Sequence, residues 1–199
     1  MQIVDRNGIM YGHDRLEILG ANGRPNPGTN NYGLYTQTSS STPVTNTTVE
    51  TSLLDGGLGT LSIPANAFRV GDSFSAVLTG HISSVNNHTL QIRIKANSIV
   101  LADTGLITMP ATTIKHWKLD INFTIRAIGP SGVASIASGG MFIYTKNASN
   151  AFEGINFSTE TTTGFNTTIS NTLSITAQWG TASTGDSIYS EIFTLTKTF

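Results

Sequence analysis

The longest alternating segment of the chain is Trp117-Lys-Leu-Asp-Ile-Asn-Phe-Thr-Ile-Arg-Ala127, where every odd position is apolar and every even position is polar. Successive side chains of a β-strand point to opposite faces, so this period of two predicts a strand with one buried and one solvated face. The same alternation runs from Ser73 to Ile82 and from Leu90 to Ala96. The sequence therefore predicts an antiparallel sheet packed on one side.

Further short apolar runs are separated by clusters of turn residues. The candidate strands are Ser98–Ala102, Gly140–Thr145, Thr172–Trp179 and Ile188–Thr196. At least eight strands divided by turns, with no helical period after residue 50, favour an all-β fold, an antiparallel jelly-roll sandwich. Gly80 interrupts the apolar face of its strand, and this predicts a bulge or a close backbone approach.

Composition excludes several classes of function. Charged residues make up 12 % of the 199 residues, and 11 Lys and Arg nearly balance 12 Asp and Glu. Without a basic stripe, no nucleic-acid partner is expected. The absence of cysteine excludes disulfides, thiolate metal sites and cysteine nucleophiles. No signal peptide or apolar run of about 20 residues is visible, so we expect synthesis in a host cytoplasm and no membrane insertion.

The composition changes near residue 50. Residues 1–50 hold three of the six prolines and a polar tract from Thr36 to Thr48, and their apolar runs are too short to form a core. We interpret residues 1–50 as an irregular N-terminal arm and linker used for attachment or assembly. Residues 51–199 form the predicted head domain.

No catalytic or metal motif is convincing. Val100-Leu-Ala-Asp-Thr-Gly105 resembles an aspartic protease signature, but Ile18-Leu19-Gly20 lies upstream of it, which is the wrong order. A strand end turning through Asp-Thr-Gly explains the motif better. His81 and His88 flank a predicted hairpin and could approach one another, although no metal-ligand spacing is present. We expect no enzyme activity, no cofactor and no metal site.

A resemblance appears in four segments taken in order. They are TLSIPANAFRVGDSFSAVLTGHI (60–82), LQIRIKANSIVLADTG (90–105), WKLDINFTIRAIG (117–129) and GGMFIY (139–144). Their succession resembles viral and bacteriophage structural proteins with a jelly-roll head similar to those of tumour necrosis factor and C1q. The resemblance covers roughly residues 52–199. It implies a homotrimer on a virion, tied to a capsid or fibre protein by its N-terminal segment.

Aromatic residues near the chain end are candidates for the trimer interface. Tyr144 and Tyr189 are favoured there because a phenolic hydroxyl tolerates a wet boundary. The leading hypothesis is a non-enzymatic virion structural protein for capsid decoration, fibre formation or host attachment. The alternative is a carbohydrate-binding module or adhesin that stacks a host-surface glycan on an exposed Trp179. A secreted C1q-like ligand is disfavoured by the missing signal peptide.

Overall fold

The structure is a computed structural model that describes residues 3–4, 9–12, 15–18, 32–146 and 149–199, with side chains from residue 33 onward. Every regular element in these residues is a β-strand, and all strand pairs are antiparallel. Three short strands, β1 (Ile3–Val4), β2 (Ile9–Gly12) and β3 (Arg15–Ile18), form a small sheet of their own in the order β1-β2-β3.

The other fourteen strands form two larger sheets. Their bounds are β4 (Tyr32–Gln37), β5 (Val44–Thr45), β6 (Thr51–Ser52), β7 (Gly57–Gly59), β8 (Ser62–Ile63), β9 (Ser73–Ser84), β10 (Thr89–Ala96), β11 (Ile99–Asp103), β12 (Ile107–Thr108), β13 (Thr112–Ala127), β14 (Ser135–Thr145), β15 (Phe152–Thr161), β16 (Asn171–Trp179) and β17 (Ser187–Lys197). The eight-stranded sheet has the order β15-β14-β13-β9-β17-β4-β7, with β5 also on β17. The six-stranded sheet has the order β11-β10-β16-β6, with β12 on β10 and β8 on β16.

The two sheets pack face to face around one apolar core. In β9 and β10 every second residue is buried, which is the pattern that their period-two sequences predict. Trp117, Leu119 and Ile121 of β13 all lie in the core, so the predicted inward face of this strand is confirmed. The all-β antiparallel sandwich is confirmed, and the chain's repeated passage between the sheets, from β9 to β10, β13, β16 and β17, is consistent with a jelly roll.

The expectation of a linker up to residue 50 is wrong for residues 32–50. β4 and β5 both pair with β17, and Val44 is buried in the core. The backbone of Ser41 also donates to the Ser190 carbonyl at 2.8 Å. These residues belong to the sandwich because β17 lacks a neighbour on that side without them. The attachment role predicted for residues 1–50 stays a prediction, and most of residues 1–31 lie outside the described residues.

Candidate functional site

Asp103, the carboxylate of the protease-like motif, closes a turn at the end of β11. It accepts hydrogen bonds from Gln91 Nε2 at 2.9 and 2.8 Å and from the Gly105 backbone N–H at 2.7 Å. Arg93 Nε lies 3.4 Å from its second oxygen. The carboxylate is therefore engaged by donors on all sides, as expected for a strand end that turns through Asp-Thr-Gly.

His81 and His88, which flank the hairpin, have different partners. His88 lies at the hairpin tip, where its Nδ1 is 2.6 Å from Oδ2 of the fully buried Asp186. The other oxygen of Asp186 accepts the Val85 N–H at 2.8 Å, so this carboxylate fixes the hairpin. Among the described side chains, no group of three or more His, Cys, Asp or Glu is arranged to hold a metal ion.

Trp179 is not the exposed platform that the glycan alternative assumed. Its side chain is 1 % exposed, and its indole N–H donates to the Val44 carbonyl at 2.9 Å. The sequence placed Trp179 at a strand end before Gly180, where exposure was expected. Residues 44–45 cover it instead, because the segment expected to be a linker packs into the sandwich.

Tyr144 is also buried, so its side chain is not available for a trimer interface. It is 1 % exposed and its hydroxyl donates to Glu153 Oε2 at 2.9 Å. Burial, together with this hydrogen bond to a carboxylate, raises the pKa of Tyr144 and keeps the phenol protonated. Tyr189, the second interface candidate, is only partly buried and stays a prediction.

Tyr189 belongs to a row of rings on the outer face of the eight-stranded sheet, by which we mean the face turned away from the six-stranded sheet. In the sheet register His81 lies opposite Tyr189 on one side and His116 on the other. The ring centroids of His81 and His116 are 4.3 Å apart, and those of His81 and Tyr189 are 5.8 Å apart. We call these three residues the aromatic row.

The aromatic row is poorly suited to stacking a sugar ring. The interplanar angles are 40° and 33°, so the rings are tilted against one another and do not form one flat platform. Glu191 lies at the side of the row, with Oε2 3.1 Å from His81 Nδ1. That nitrogen is buried and has no hydrogen bond of acceptable geometry, so this short distance is not a hydrogen bond. The row therefore consists of tilted rings with a carboxylate beside them.

The outer face beside the row combines exposed aliphatic groups with a paired charge. Ile192 is 57 % exposed next to the row, and Val77 is half-buried on the central strand β9. Lys118 and Asp120 neutralise each other at 2.9 Å. Exposed aliphatic groups beside paired charges are suited to contact with another protein surface.

A strained residue lies close to the aromatic row in sequence. Ile114 adopts a φ of 45° in a bulge of β13 between Thr112 and Lys115. A β-branched residue rarely adopts positive φ, and such conformations cluster at functional surfaces. Its N–H donates to Ser83 Oγ at 3.0 Å, and its side chain is 67 % exposed. The bulge therefore holds an apolar side chain in solvent at this end of the outer face.

The outer face of the six-stranded sheet carries a different arrangement, an interlocked polar network. Glu50 accepts Lys95 Nζ at 2.5 Å and Arg93 Nη1 at 3.1 Å, and Thr176 Oγ1 donates to it at 2.5 Å. Burial by itself raises the pKa of Glu50, but the hydrogen bonds from Lys95 and Thr176 and the two cationic charges together lower it from its ordinary value of 4.5. Because the members satisfy one another, the network joins the chain near residue 50 to the sheet.

An apolar cavity of about 50 Å³ lies between the sheets. It is lined mainly by aliphatic and phenyl groups, including Phe68, Phe74 and Phe165. A sugar needs hydrogen-bond partners for its hydroxyl groups, and this almost wholly apolar lining offers few. The lining is therefore unsuited to a sugar.

Comparison with known proteins identifies no family for this chain. No family model and no curated protein matches the chain. Among solved structures, it is similar to the CBM2 module of the evolved Dit protein of Lactobacillus casei BL23 phage J-1, with 10 % identity over 68 % of this chain and a TM-score of 0.26. The similar region spans 65 % of that module, which is less than two thirds of its length. A TM-score this low supports no conclusion about shared function.

Among the described residues, no helix has the length and apolar character needed to cross a bilayer.

Proposed function

We propose that this chain is a non-enzymatic structural protein of a virion, whose sandwich head self-associates as a homotrimer through the outer face of the eight-stranded sheet. Two things support the proposal. The order of segments over residues 60–144 resembles virion structural proteins with jelly-roll heads, and these segments form the strands of an antiparallel sandwich.

The composition of the outer face of the eight-stranded sheet is the observation that supports self-association. Its central strands β17, β9 and β13 bring Tyr189, Ile192 and His116 to one surface, and the lysine and aspartate on it are already paired. Copies of a chain with a formal net charge of −1 do not repel strongly. A closed ring of copies would bury the exposed Ile192 and the aromatic row.

The remaining parts of the proposal concern attachment. The segment before Tyr32 ties the head to a capsid or fibre protein, and many copies on one particle present weak contacts to the host surface. Repetition of weak contacts raises the overall affinity without any new contact. A host-surface glycan is one possible target, without the Trp179 platform.

The first experiment measures the mass of the protein in solution. Light scattering coupled to size exclusion should give about three times 21.1 kDa. Ile192→Glu places a charge on the outer face of every copy, and burying several unpaired carboxylates is unfavourable. This variant should elute as a smaller species with an unchanged circular dichroism spectrum.

The matched control is Val100→Glu, which changes a 41 % exposed valine of β11 in the six-stranded sheet. It should keep the mass of the unmodified protein. A clean monomer would contradict the trimer, and an unaltered mass for Ile192→Glu would contradict the assigned surface. Mass spectrometry of purified virions tests the structural role itself, since a virion component must be present in them.

A further inference from the structure

Strand β15 is a long open edge. It pairs with β14 through ten consecutive residues, from Phe152 opposite Thr145 to Thr161 opposite Ile136, with no bulge. It ends the eight-stranded sheet, so no described strand pairs with its second side. Eight of its ten residues are exposed. One row of its backbone N–H and C=O groups therefore has no strand partner among the described residues, which makes β15 a template for another strand.

The other strands at the ends of the two large sheets are protected from such pairing. β7 has three residues and β6 has two, which is too short for a stable addition. β11 has five residues and its register shifts opposite Ile94 and Lys95. Short strands and bulges are common means of blocking an edge. Among the ends of the two large sheets, β15 lacks both.

Lysine, arginine and proline, which often block an edge, are absent from β15. Its two glutamates are already paired, Glu153 with Lys146 at 2.8 Å and Glu160 with Arg126 at 2.7 Å. A partner strand approaching the middle of β15 meets no unpaired charge.

The inward face of β15 leaves apolar surface uncovered. Ile155 and Phe157 lie opposite Phe142 and Gly140, which places both on the side of the core. Yet Ile155 is 37 % exposed and Phe157 is only partly buried. An added strand would extend the sheet and cover these two side chains.

We propose that β15 pairs antiparallel with β15 of a second copy across a two-fold axis at Asn156. In this register Ile155 of each copy lies opposite Phe157 of the other, so the two uncovered apolar residues form two cross-strand pairs on the inward face. No glutamate of one copy lies opposite a glutamate of the other, since Glu153 lies opposite Thr159 and Glu160 lies opposite Phe152. A register one residue later would place Glu153 directly opposite Glu160, which is unfavourable.

This contact uses the sheet edge, whereas the proposed trimer uses the outer face, so the two are independent. A two-fold contact combined with a three-fold contact gives a closed dihedral assembly only when the two axes meet at right angles. The inference does not require the virion role, and each contact can be tested without the other.

The test uses the absence of cysteine from this chain. In Asn156→Cys the two thiols face each other at the axis, where paired strands place Cα atoms about 5.5 Å apart, within the range that a disulfide spans. Mild oxidation should give a covalent dimer on a non-reducing gel. The control is Ser158→Cys. In this register residue 158 of each copy lies opposite Gly154 of the other, so the two Cα atoms of residue 158 are about 13 Å apart.

A dimer with Asn156→Cys and none with Ser158→Cys supports the proposal. No dimer with either variant, or equal dimer with both, overturns it. The mass of the unmodified protein separates this inference from the proposed function. If the protein is a trimer and position 156 does not cross-link, the proposed function stands and the two-fold edge contact is rejected. If position 156 cross-links and the mass is that of two copies, the edge contact stands and the proposed trimer is rejected.

Discussion

At the scale of single residues, Glu50 shows how one carboxylate joins separate parts of the chain. It contacts Lys95 and Arg93 of β10 and Thr176 of β16, and it lies immediately before β6. The alternation of β10 predicted that Arg93 and Lys95 face outward, and this is confirmed. It did not identify their partner, because Glu50 is more than forty residues away in sequence and the contact depends on how the sheets fold.

Glu50→Gln should lower the free energy of unfolding by about 1 kcal/mol at pH 7, since it removes a half-exposed ion pair with two cations. The pKa of Glu50 is lowered in the folded protein, so its contribution is complete above its ordinary value of 4.5 and is lost as the pH falls through the folded value. Urea denaturation of both proteins at pH 7 and pH 3 checks this. The difference between them should shrink at pH 3.

Asp120→Asn is the control, because the Lys118–Asp120 pair is more exposed and should contribute less than about 0.5 kcal/mol. The free energies of unfolding of Glu50→Gln and the unmodified protein could also differ by the same amount at both pH values. That result would contradict the assigned ion pairs.

At the scale of strands, Gly80 confirms the predicted close backbone approach. A Cβ atom at Gly80 would lie 2.0 Å from the Tyr189 carbonyl oxygen. β17 bulges between Ser190 and Ile192 directly opposite this position. The Tyr189 carbonyl also accepts the Trp117 indole N–H at 3.1 Å, so the glycine leaves room for a buried hydrogen bond.

Gly80→Ala should destabilise the fold by about 3 kcal/mol, because the added methyl group meets backbone atoms that cannot move aside. The matched control is Gly139→Ala on β14, where an added Cβ finds its nearest atom at 3.7 Å, an ordinary contact. Thermal denaturation of the two variants compares them. Equal melting temperatures would show that the strands separate easily at Gly80.

Strand β15 was missed by the sequence interpretation, and its exposure explains why. A strand is recognised from sequence when one face is buried and the other is polar. Residues 152–161 are exposed on both faces, so their sequence carries no clean alternation. β4 was missed for a related reason, since Gly33 interrupts a short strand that follows a turn-rich segment.

At the scale of the whole molecule, the sandwich includes the described residues from Tyr32 onward and does not begin at Thr51. Gln37 donates to the Ser190 hydroxyl at 3.1 Å, and Val44 covers Trp179. The change in composition near residue 50 reflects polar residues on a paired edge. It does not mark the end of a domain.

A chain of residues 51–199 should therefore be less stable than one of residues 32–199. It loses β4, β5, the Glu50 ion pairs and the acceptor of the Trp179 N–H. We expect a loss of at least about 3 kcal/mol, which corresponds to a melting temperature roughly 6–12 °C lower for a domain of this size. Differential scanning calorimetry checks this. Equal melting temperatures would show that residues 32–50 add nothing to the stability of the sandwich, as a domain boundary at residue 50 requires.

Local sequence was enough to predict the all-β class, the central strands and their inward faces, and the close backbone approach at Gly80. These follow from alternation and backbone sterics, which neighbouring residues set. Four further features depend on tertiary contacts: residues 32–50 complete the sandwich, Trp179 and Tyr144 are buried, His81 lies against His116, and β15 ends its sheet without a second strand partner. The reason is that strand neighbours are set by contacts between distant parts of the chain, and alternation shows which way a side chain points but not what lies beside it.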